Sequence, residues 1–365
     1  NNTVTNNKNT GMEIHGNNAI ITNDNIIANN KNDGLRLYGA NISVIGFNFS
    51  NNERYGLYFE GSNANIINNT FSNNGNTGLL IYSDGAIISG NTANNNNNHG
   101  MEIHGNNAII TQNTAKSDKN EGLRIYGTGT TIQLNTATLN GRYGLYMEGI
   151  NANITNNTFS NNTNTGMRVY SDGGVISNNT VTNNKNTGME IHGNNVQILQ
   201  NSIIQNTKYG IYIFSSLAIV NFNRIIGNTM YGLYSTTNGT LNVTNNWWGS
   251  NNGPLFSSTT PSDIYITTGT VIYNPWLILN ITANPVATYN NSIITADLTH
   301  NNAGNDTSSQ GNIPDNIPIN FVTNLGNITA VVYTSNGKAS AIFSRGTLTS
   351  GTANITATFD NQTVQ

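Results

Sequence analysis

Three Glu-x-His triplets stand in this chain, at Glu13 and His15, Glu102 and His104, and Glu190 and His192. A carboxylate two residues from an imidazole can move a proton, bind a metal or hold a polar ligand. One triplet alone supplies too few ligands for a metal site. The triplets recur every four units of a shorter repeat, so their histidines stand roughly 19 Å apart at the inter-strand spacing and cannot share a metal. Glycoside cleavage needs carboxyls about 5 Å or 6.5–9.5 Å apart. Glu60 and Glu102 are spaced at roughly 10–12 Å by the same strand arithmetic. No Asp cluster suits a hard cation. Active sites are normally unique, whereas a repeated motif suits contact at many points. These residues therefore predict no catalytic residue, no metal and no cofactor.

The repeat that positions the triplets is marked by glycine. Gly11, Gly34, Gly56, Gly78, Gly100, Gly122, Gly144, Gly166, Gly188, Gly210 and Gly232 follow one another by 22 residues after a first step of 23. A period of this size signals a solenoid whose unit cannot bury its apolar face alone. Counting each Gly as position 0, positions 1 and 3 are apolar, as at Leu35 and Leu37 or Leu123 and Ile125. Positions 8 and 10 are small or apolar, as at Ile42 and Val44, and position 15 is apolar, as at Phe49 and Phe71. Three short alternating segments in 22 residues, with no helical period, predict an all-β chain: a parallel β-helix of about eleven coils. The crossover rule for parallel strands makes it right-handed.

Composition supports this reading. Asn supplies 76 of 365 residues, and much of it falls in two columns. Asn30, Asn52, Asn74 and their equivalents lie four residues before each Gly, with Asp118 the one departure. Asn25, Asn69, Asn91 and their equivalents lie nine before, with Phe47 the one interruption. An amide carries two donors and an acceptor oxygen, so stacked Asn can bond coil to coil, and Asn also tolerates left-handed turns. Only 8% of residues are charged and the net charge is −3, which offers no basic field to nucleic acid or anionic lipid. Without cysteine there is no disulfide framework. No apolar run reaches membrane-span length. Residue 1 falls inside a repeat, so the chain reads as a mature or excised piece of a longer protein.

Positions 2 and 4 of the Gly-led strand point outward and form two columns. Column 2 includes Glu13, Arg36, Tyr58, Glu102, Arg124, Tyr146, Arg168 and Glu190; column 4 includes His15, Tyr38, Glu60, Tyr82, His104, Tyr126, Glu148, Tyr170 and His192. Aromatic rings beside charges suit contact with glycans or partner proteins. Candidate binding residues are Glu13, His15, Arg36, Tyr38, Glu102, His104, Arg124, Tyr126, Glu148, Arg168, Tyr170, Glu190 and His192. The same columns also suit a packed exterior, with Glu13–Arg36, Glu102–Arg124 and Arg168–Glu190 as cross-strand pairs. Sequons at Asn41, Asn153, Asn242, Asn280, Asn327 and Asn354 are candidate glycan acceptors in an exported protein.

The coil pattern slips at Leu241 and Val243 and is followed by Asn245–Pro254, NNWWGSNNGP, where two Trp suit a cap over the open coil end. Tyr273–Leu277, YNPWL, closes it. The expected division is a β-helix over 1–256, a cap and linker over 257–277, and an Ig-like β-sandwich over 278–365, with turn pairs at Asn336-Gly337 and Asp360-Asn361. These two Trp motifs, the stretch Ile313–Ile328, Thr334–Phe343 (TSNGKASAIF) and Gly351–Phe359 (GTANITATF) resemble the adhesin-like surface proteins of methanogenic archaea, which join right-handed parallel β-helix repeats to invasin-type bacterial Ig-like domains. The resemblance spans essentially the whole chain. It implies an extracellular, cell-surface protein acting in adhesion or envelope structure, with glycans or surface proteins as partners, possible self-association, and no catalytic residues to carry over. The coil repeat alone is shared with copper-binding NosD-like proteins and with carbohydrate-active enzymes. Met12, Met101 and Met189 point inward, away from the outward histidines, which disfavours copper. The alternative reading is a polysaccharide lyase or hydrolase.

Overall fold

The computed structural model describes residues 2–22, 25–256, 261–288, 290–347 and 349–365. Three parallel sheets run the length of a solenoid. The Gly-led sheet has 12 strands, from Met12–His15 to Ser262–Ile266. A second sheet has 12, from Ile20–Thr22 to Thr270–Ile272, and a third has 11, from Thr3–Thr5 to Arg224–Ile226. Equivalent residues of successive coils pair directly: Leu57 faces Leu35 on one side and Leu79 on the other. Leu35, Leu37, Ile42, Val44 and Phe49 are fully buried, as the apolar positions predict. Phe49 and Phe71 stack at 5.1 Å inside, and Phe47, where the ladder lacks its Asn, stacks on Phe49 at 5.4 Å.

Both Asn columns are buried hydrogen-bonded ladders. Asn113 donates from its backbone N and its Nδ2 to Asn135 Oδ1 at 2.9 and 3.0 Å, and its Nδ2 also donates to the Ile88 carbonyl at 2.8 Å. The same set recurs at Asn135, Asn157, Asn179 and Asn201. Left-handed backbone geometry, however, belongs to the residue just before the ladder Asn, wherever that residue is among the described ones. Asn51, Asn73 and Asn95 carry φ of 54°, 55° and 56°. At these corners Asn is used twice, for two reasons: one residue makes the bend and the next satisfies the groups that the bend frees; at others Gln112, Leu134 or Gly90 makes the bend.

The repeat Gly is a matter of space. A Cβ on Gly34 would lie 2.5 Å from the Gly56 carbonyl oxygen and 2.8 Å from Asn52 Nδ2. No side chain fits between ladder and sheet.

Asp118 alters one rung. Asn96 donates to its Oδ1 from N and Nδ2 at 2.8 and 2.9 Å, while its Oδ2 has no hydrogen-bond partner. That oxygen stands where other coils place an amide nitrogen, which bonds a carbonyl 25 residues earlier and the next ladder oxygen. Here those acceptors are the Ala93 carbonyl and Asn140 Oδ1. Burial pushes the Asp118 carboxyl up to about 7, against the lowering effect of the bonds from Asn96.

The two tryptophans divide between two cores. Trp248 packs into the solenoid core, whereas Trp247 is fully buried in the core of the C-terminal unit. Asn246 continues a ladder, accepting from Asn223 N and Nδ2 at 2.9 and 3.0 Å. Within the expected linker, residues 257–260 lie outside the described residues. Beyond them, Ser262–Ile266 pairs with Tyr231–Ser235, and Thr270–Ile272 with Thr240–Asn242, so this segment adds strands to two solenoid sheets. Tyr273 and Trp276 pack on the end of the solenoid core.

The C-terminal unit has two four-stranded antiparallel sheets. One holds Leu277–Asn284, Asn291–Asn301, Lys338–Ser344 and Asn327–Ile328; the other holds Val331–Tyr333, Pro318–Thr323, Ile355–Phe359 and Gln362–Val364. Leu279, Ile294, Leu298, Phe321 and Phe359 share one core between them, which makes a β-sandwich-like unit. It docks on the solenoid end through Asp360, which accepts from Trp247 Nε1 at 2.7 Å and pairs with Arg224. Trp247 also lies 5.3 Å from the Phe359 ring.

Candidate ligand-contact face

The Gly-led sheet carries its outward side chains at a fixed inter-strand spacing, so like positions meet along the rod. Rings stack without a break. His15 lies on Tyr38 at 4.7 Å; Tyr82, His104 and Tyr126 follow at 4.6 and 4.7 Å; Tyr170, His192 and Phe214 follow at 4.2 Å each. Glu60 and Glu148 occupy two ring positions of column 4. There the stack steps sideways into column 2, through Tyr58 and Tyr146, at centroid distances of 5.7–6.1 Å and tilts near 50°. Tyr212, Tyr234 and Tyr265 extend the rings onto the strand Ser262–Ile266.

Each Glu-x-His triplet closes on itself. The histidine Nε2 lies 2.8, 3.0 and 2.9 Å from the glutamate Oε1 at His15, His104 and His192. The glutamates thereby orient the rings in the stack. Burial of Glu102 favours its neutral form, yet the bond to His104 and the charges of His99 and Arg124 hold its carboxyl below the usual range. Among the described residues no group of three or more His, Cys, Asp or Glu side chains is placed to hold a metal ion.

The expected cross-strand ion pairs form unequally. Arg168 and Glu190 pair at 3.1 Å, whereas Arg124 and Glu102 approach only to 3.9 Å. Glu13 and Arg36 stand opposite in register, but Arg36 turns to Asp33 and Glu13 to His15. The cause is a column that sequence reasoning passed over, one residue before each Gly. It holds Asp33, His99 and Glu121, all buried, among Thr and Tyr. His99 Nδ1 lies 2.7 Å from Glu121 Oε2, out of line for a hydrogen bond, and Arg142 donates to Glu121 Oε1 at 3.1 Å. Arg168 donates to the Tyr143 hydroxyl at 2.7 Å. The signal was present in the sequence: charged residues in a Thr/Tyr column of a chain poor in charge.

All thirteen candidate binding residues lie on this sheet in two adjacent columns. Tyr58, Glu60, Tyr82 and Tyr146 belong with them, since the stack depends on three of these rings. Tyr58 donates to Glu60 Oε2 at 2.9 Å and Tyr146 to Glu148 Oε2 at 2.8 Å. Burial first, then these bonds, raise both phenols above their ordinary range. Of the sequon asparagines, Asn41, Asn153, Asn242, Asn327 and Asn354 are exposed and Asn280 is half-buried. Chemically, the face offers flat apolar ring surfaces edged by hydroxyl and carboxylate oxygens, a combination that grips polar rings.

Comparison with known proteins places the fold. The family described as "Right handed beta helix region" matches residues 1–139 and 143–302. Among solved structures, the A-module of the Azotobacter vinelandii mannuronan C-5 epimerase AlgE6 is similar at 15% identity and a TM-score of 0.50, over 68% of this chain and 79% of that one. The AlgE4 A-module from the same organism is similar at 14% identity and a TM-score of 0.50, over 71% of this chain and 89% of that one. No curated protein matches the chain. At such identities the likeness shows the fold alone. With three parallel sheets, in-register coils and a family match over most of its length, the chain belongs to the right-handed β-helix family.

Proposed function

We propose that the protein is an extracellular, cell-surface rod of adhesin-like or envelope-structural kind, whose Gly-led sheet contacts glycans. One observation carries this reading. The unbroken ring stack and its carboxylates occupy one sheet of three, in a chain with only 8% charged residues. Stacked rings at regular spacing present a repeated platform, and repeated platforms suit multivalent contact with a polymer. A fold alone hosts many functions, so the reading rests on this face and not on the epimerase modules that share the architecture. The docked C-terminal unit serves as a spacer joined to the rod through Asp360.

A glycan array with the native protein and a Glu102→Ala/His104→Ala/Tyr126→Ala variant tests the reading. Binding should be lost in the variant. Binding that survives unchanged would remove the Gly-led sheet as the contact surface.

A carbohydrate-active enzyme is the second reading, and one observation favours it. His99 stands between Glu102 and Glu121, whereas Thr10 and Thr187 occupy the equivalent places four coils away, so the cluster is unrepeated. Release of reducing ends or unsaturated products from polysaccharides, lost on His99→Thr, would establish it.

A further inference from the structure

Most Lys and Arg residues of the solenoid are gathered along one border of the Gly-led sheet. Lys8, Lys31, Lys119 and Lys185 stand three residues before a repeat Gly, and Arg54, Arg142 and Lys208 two before. These seven are half of the 14 basic residues in the chain. Arg36, Arg124 and Arg168 follow in column 2. From the fourth to the thirteenth residue after each repeat Gly, no coil holds a Lys or Arg; Glu60, Asp84, Glu148 and Asp172 stand there instead. The basic border is kept in line by the backbone. Arg54, Arg142 and Lys208 each donate from N to the equivalent carbonyl one coil earlier, at Asn32, Asn120 and Asn186.

Glu53, beside Lys31, is the one acid at those two positions, and Asp33 and Glu121 lie buried behind them. The border is thus net positive in a chain whose net charge is −3. Lys8, Lys119 and Lys185 are exposed and have no acidic partner among the described residues. Arg54 and Arg142 are exposed as well. Arg54 donates to the Tyr55 hydroxyl at 3.4 Å and Arg142 to Glu121 at 3.1 Å, which leaves most of the five donors of each guanidinium unspent. Three of the cations lie on rings: Arg54 is 4.3 Å from the Tyr55 centroid, Arg142 4.5 Å from that of Tyr143, and Lys208 4.7 Å from that of Tyr209. Inward from the border, Tyr55 stacks on Tyr58 at an interplanar angle of 23°, and Tyr143 on Tyr146 at 15°. Each row sets a cation, steadied by a ring, beside further ring surface. A sugar that bears a carboxylate or sulfate matches that order, acid group on cation and apolar sugar face on tyrosine.

We propose that the glycan taken by this sheet is acidic, and that Arg54, Arg142 and Lys208, each lying on its own tyrosine, hold its carboxylate or sulfate groups along the basic border. This rests on the reading of the sheet as a glycan-contact face, which favours an acidic sugar over a nucleic acid as the source of the anions. Lys119 and Lys185 stand on the same border between these rows and add to its attraction. The rows are four and three coils apart, roughly 19 and 14 Å, so one extended polymer engages all three.

Calorimetric titration in low-salt buffer, with a hyaluronan octamer, its neutral carboxyl methyl ester and a κ-carrageenan octamer, tests the proposal. The hyaluronan octamer should bind at least about tenfold tighter than its ester, the order expected of several exposed ion pairs acting together. High salt should shrink that preference. The carrageenan octamer carries sulfate and no carboxylate, so its rank against hyaluronan tells which acid group is held. Arg54→Gln/Lys208→Gln should remove most of the preference and Lys119→Gln/Lys185→Gln a smaller part. Both double variants leave the Arg36–Asp33 and Arg142–Glu121 pairs in place, so folding is retained. A preference unchanged in both would overturn the proposal. Equal binding of octamer and ester, lost in the Glu102→Ala/His104→Ala/Tyr126→Ala variant, would overturn the basic border and leave the glycan face standing. Absence of binding by every sugar would overturn both. Oligothymidylate of equal charge binding as tightly as hyaluronan, and weakened by Arg54→Gln/Lys208→Gln, would overturn the glycan assignment.

Discussion

Two stacks of like groups run the length of this rod, one inside and one outside, and they divide its work. The inner Asn ladders are buried over nearly all their length and their bonded rungs meet at 2.6–3.4 Å; the outer rings are part-exposed and touch at 4.0–6.1 Å. A broken rung strands polar groups away from water. A missing ring is replaced by water at little cost. The inner stack therefore fixes stability, and the outer one is free to serve binding. The contrast also explains where sequence variation is tolerated. The inner columns hold Asn almost without exception, while the outer columns mix Tyr, His, Glu, Arg, Leu and Phe.

The largest effect that sharpens this contrast is expected from Asn135→Leu. It would strand the Asn113 backbone N–H, one of the two N–H groups of the Asn113 amide and the Ile110 carbonyl. Each buried orphan costs about 1–3 kcal/mol, so a loss of roughly 3–6 kcal/mol should appear in urea unfolding. A loss below about 1 kcal/mol would break the inner–outer distinction.

Asp118→Asn should act next, and through pH. Burial raises the folded-state carboxyl from 3.8 to about 7, so the folded protein holds a proton that the unfolded chain releases. Stability should then fall as pH rises from about 4 to about 7 and level off above, by up to about 3–4 kcal/mol. Asn restores both donors of the rung, so the variant should lose this slope and be the more stable protein at pH 8. Glu102 and Glu121, whose carboxyls are lowered by their partners against burial, titrate in the opposite sense, with stability lost as pH falls below about 4. Subtracting the variant's profile from that of the native protein isolates Asp118. An unchanged slope would mean that the ladder tolerates a charge.

His104→Ala, in the outer stack, removes two ring contacts and the bond to Glu102. It should cost only about 1 kcal/mol in the same unfolding assay, the order of an exposed aromatic pair. A cost matching that of Asn135→Leu would make the face a structural element. The smallest effect has the opposite sign. Leu139 sits exposed at φ 60°, where most coils place Asn. Leu139→Asn should stabilise the protein by about 0.5–1 kcal/mol, read as a rise in thermal midpoint.

Much of this was legible in the residues. Gly every 22 positions, the two Asn columns and the apolar positions gave coil, sheet and core face, because a stacked repeat writes each contact many times. Features that occur once were harder to read. Asn245-Asn246-Trp247-Trp248 read as a cap, yet adjacent Trp side chains enter different cores, since neighbouring residues of an extended chain point to opposite sides. Ser262–Ile266 lacks the repeat Gly, and its place in the Gly-led sheet follows from pairing with Tyr231–Ser235 rather than from pattern. The pairing of Arg36 with Asp33 could not be chosen over Glu13 by spacing alone, because both carboxylates stand near the arginine.

The sequence by itself determined what repeats: the period, the side of each strand that is buried, the two ladders and the outward columns. These follow from local alternation and from a fixed translation between coils. Tertiary structure decided what depends on direction and on a partner. It carried the ring stack past Glu60 and Glu148, because tilted Tyr58 and Tyr146 cross from the neighbouring column and bond those carboxylates. It also left Asp118 Oδ2 facing only acceptors, a conflict visible once the rungs above and below are in place.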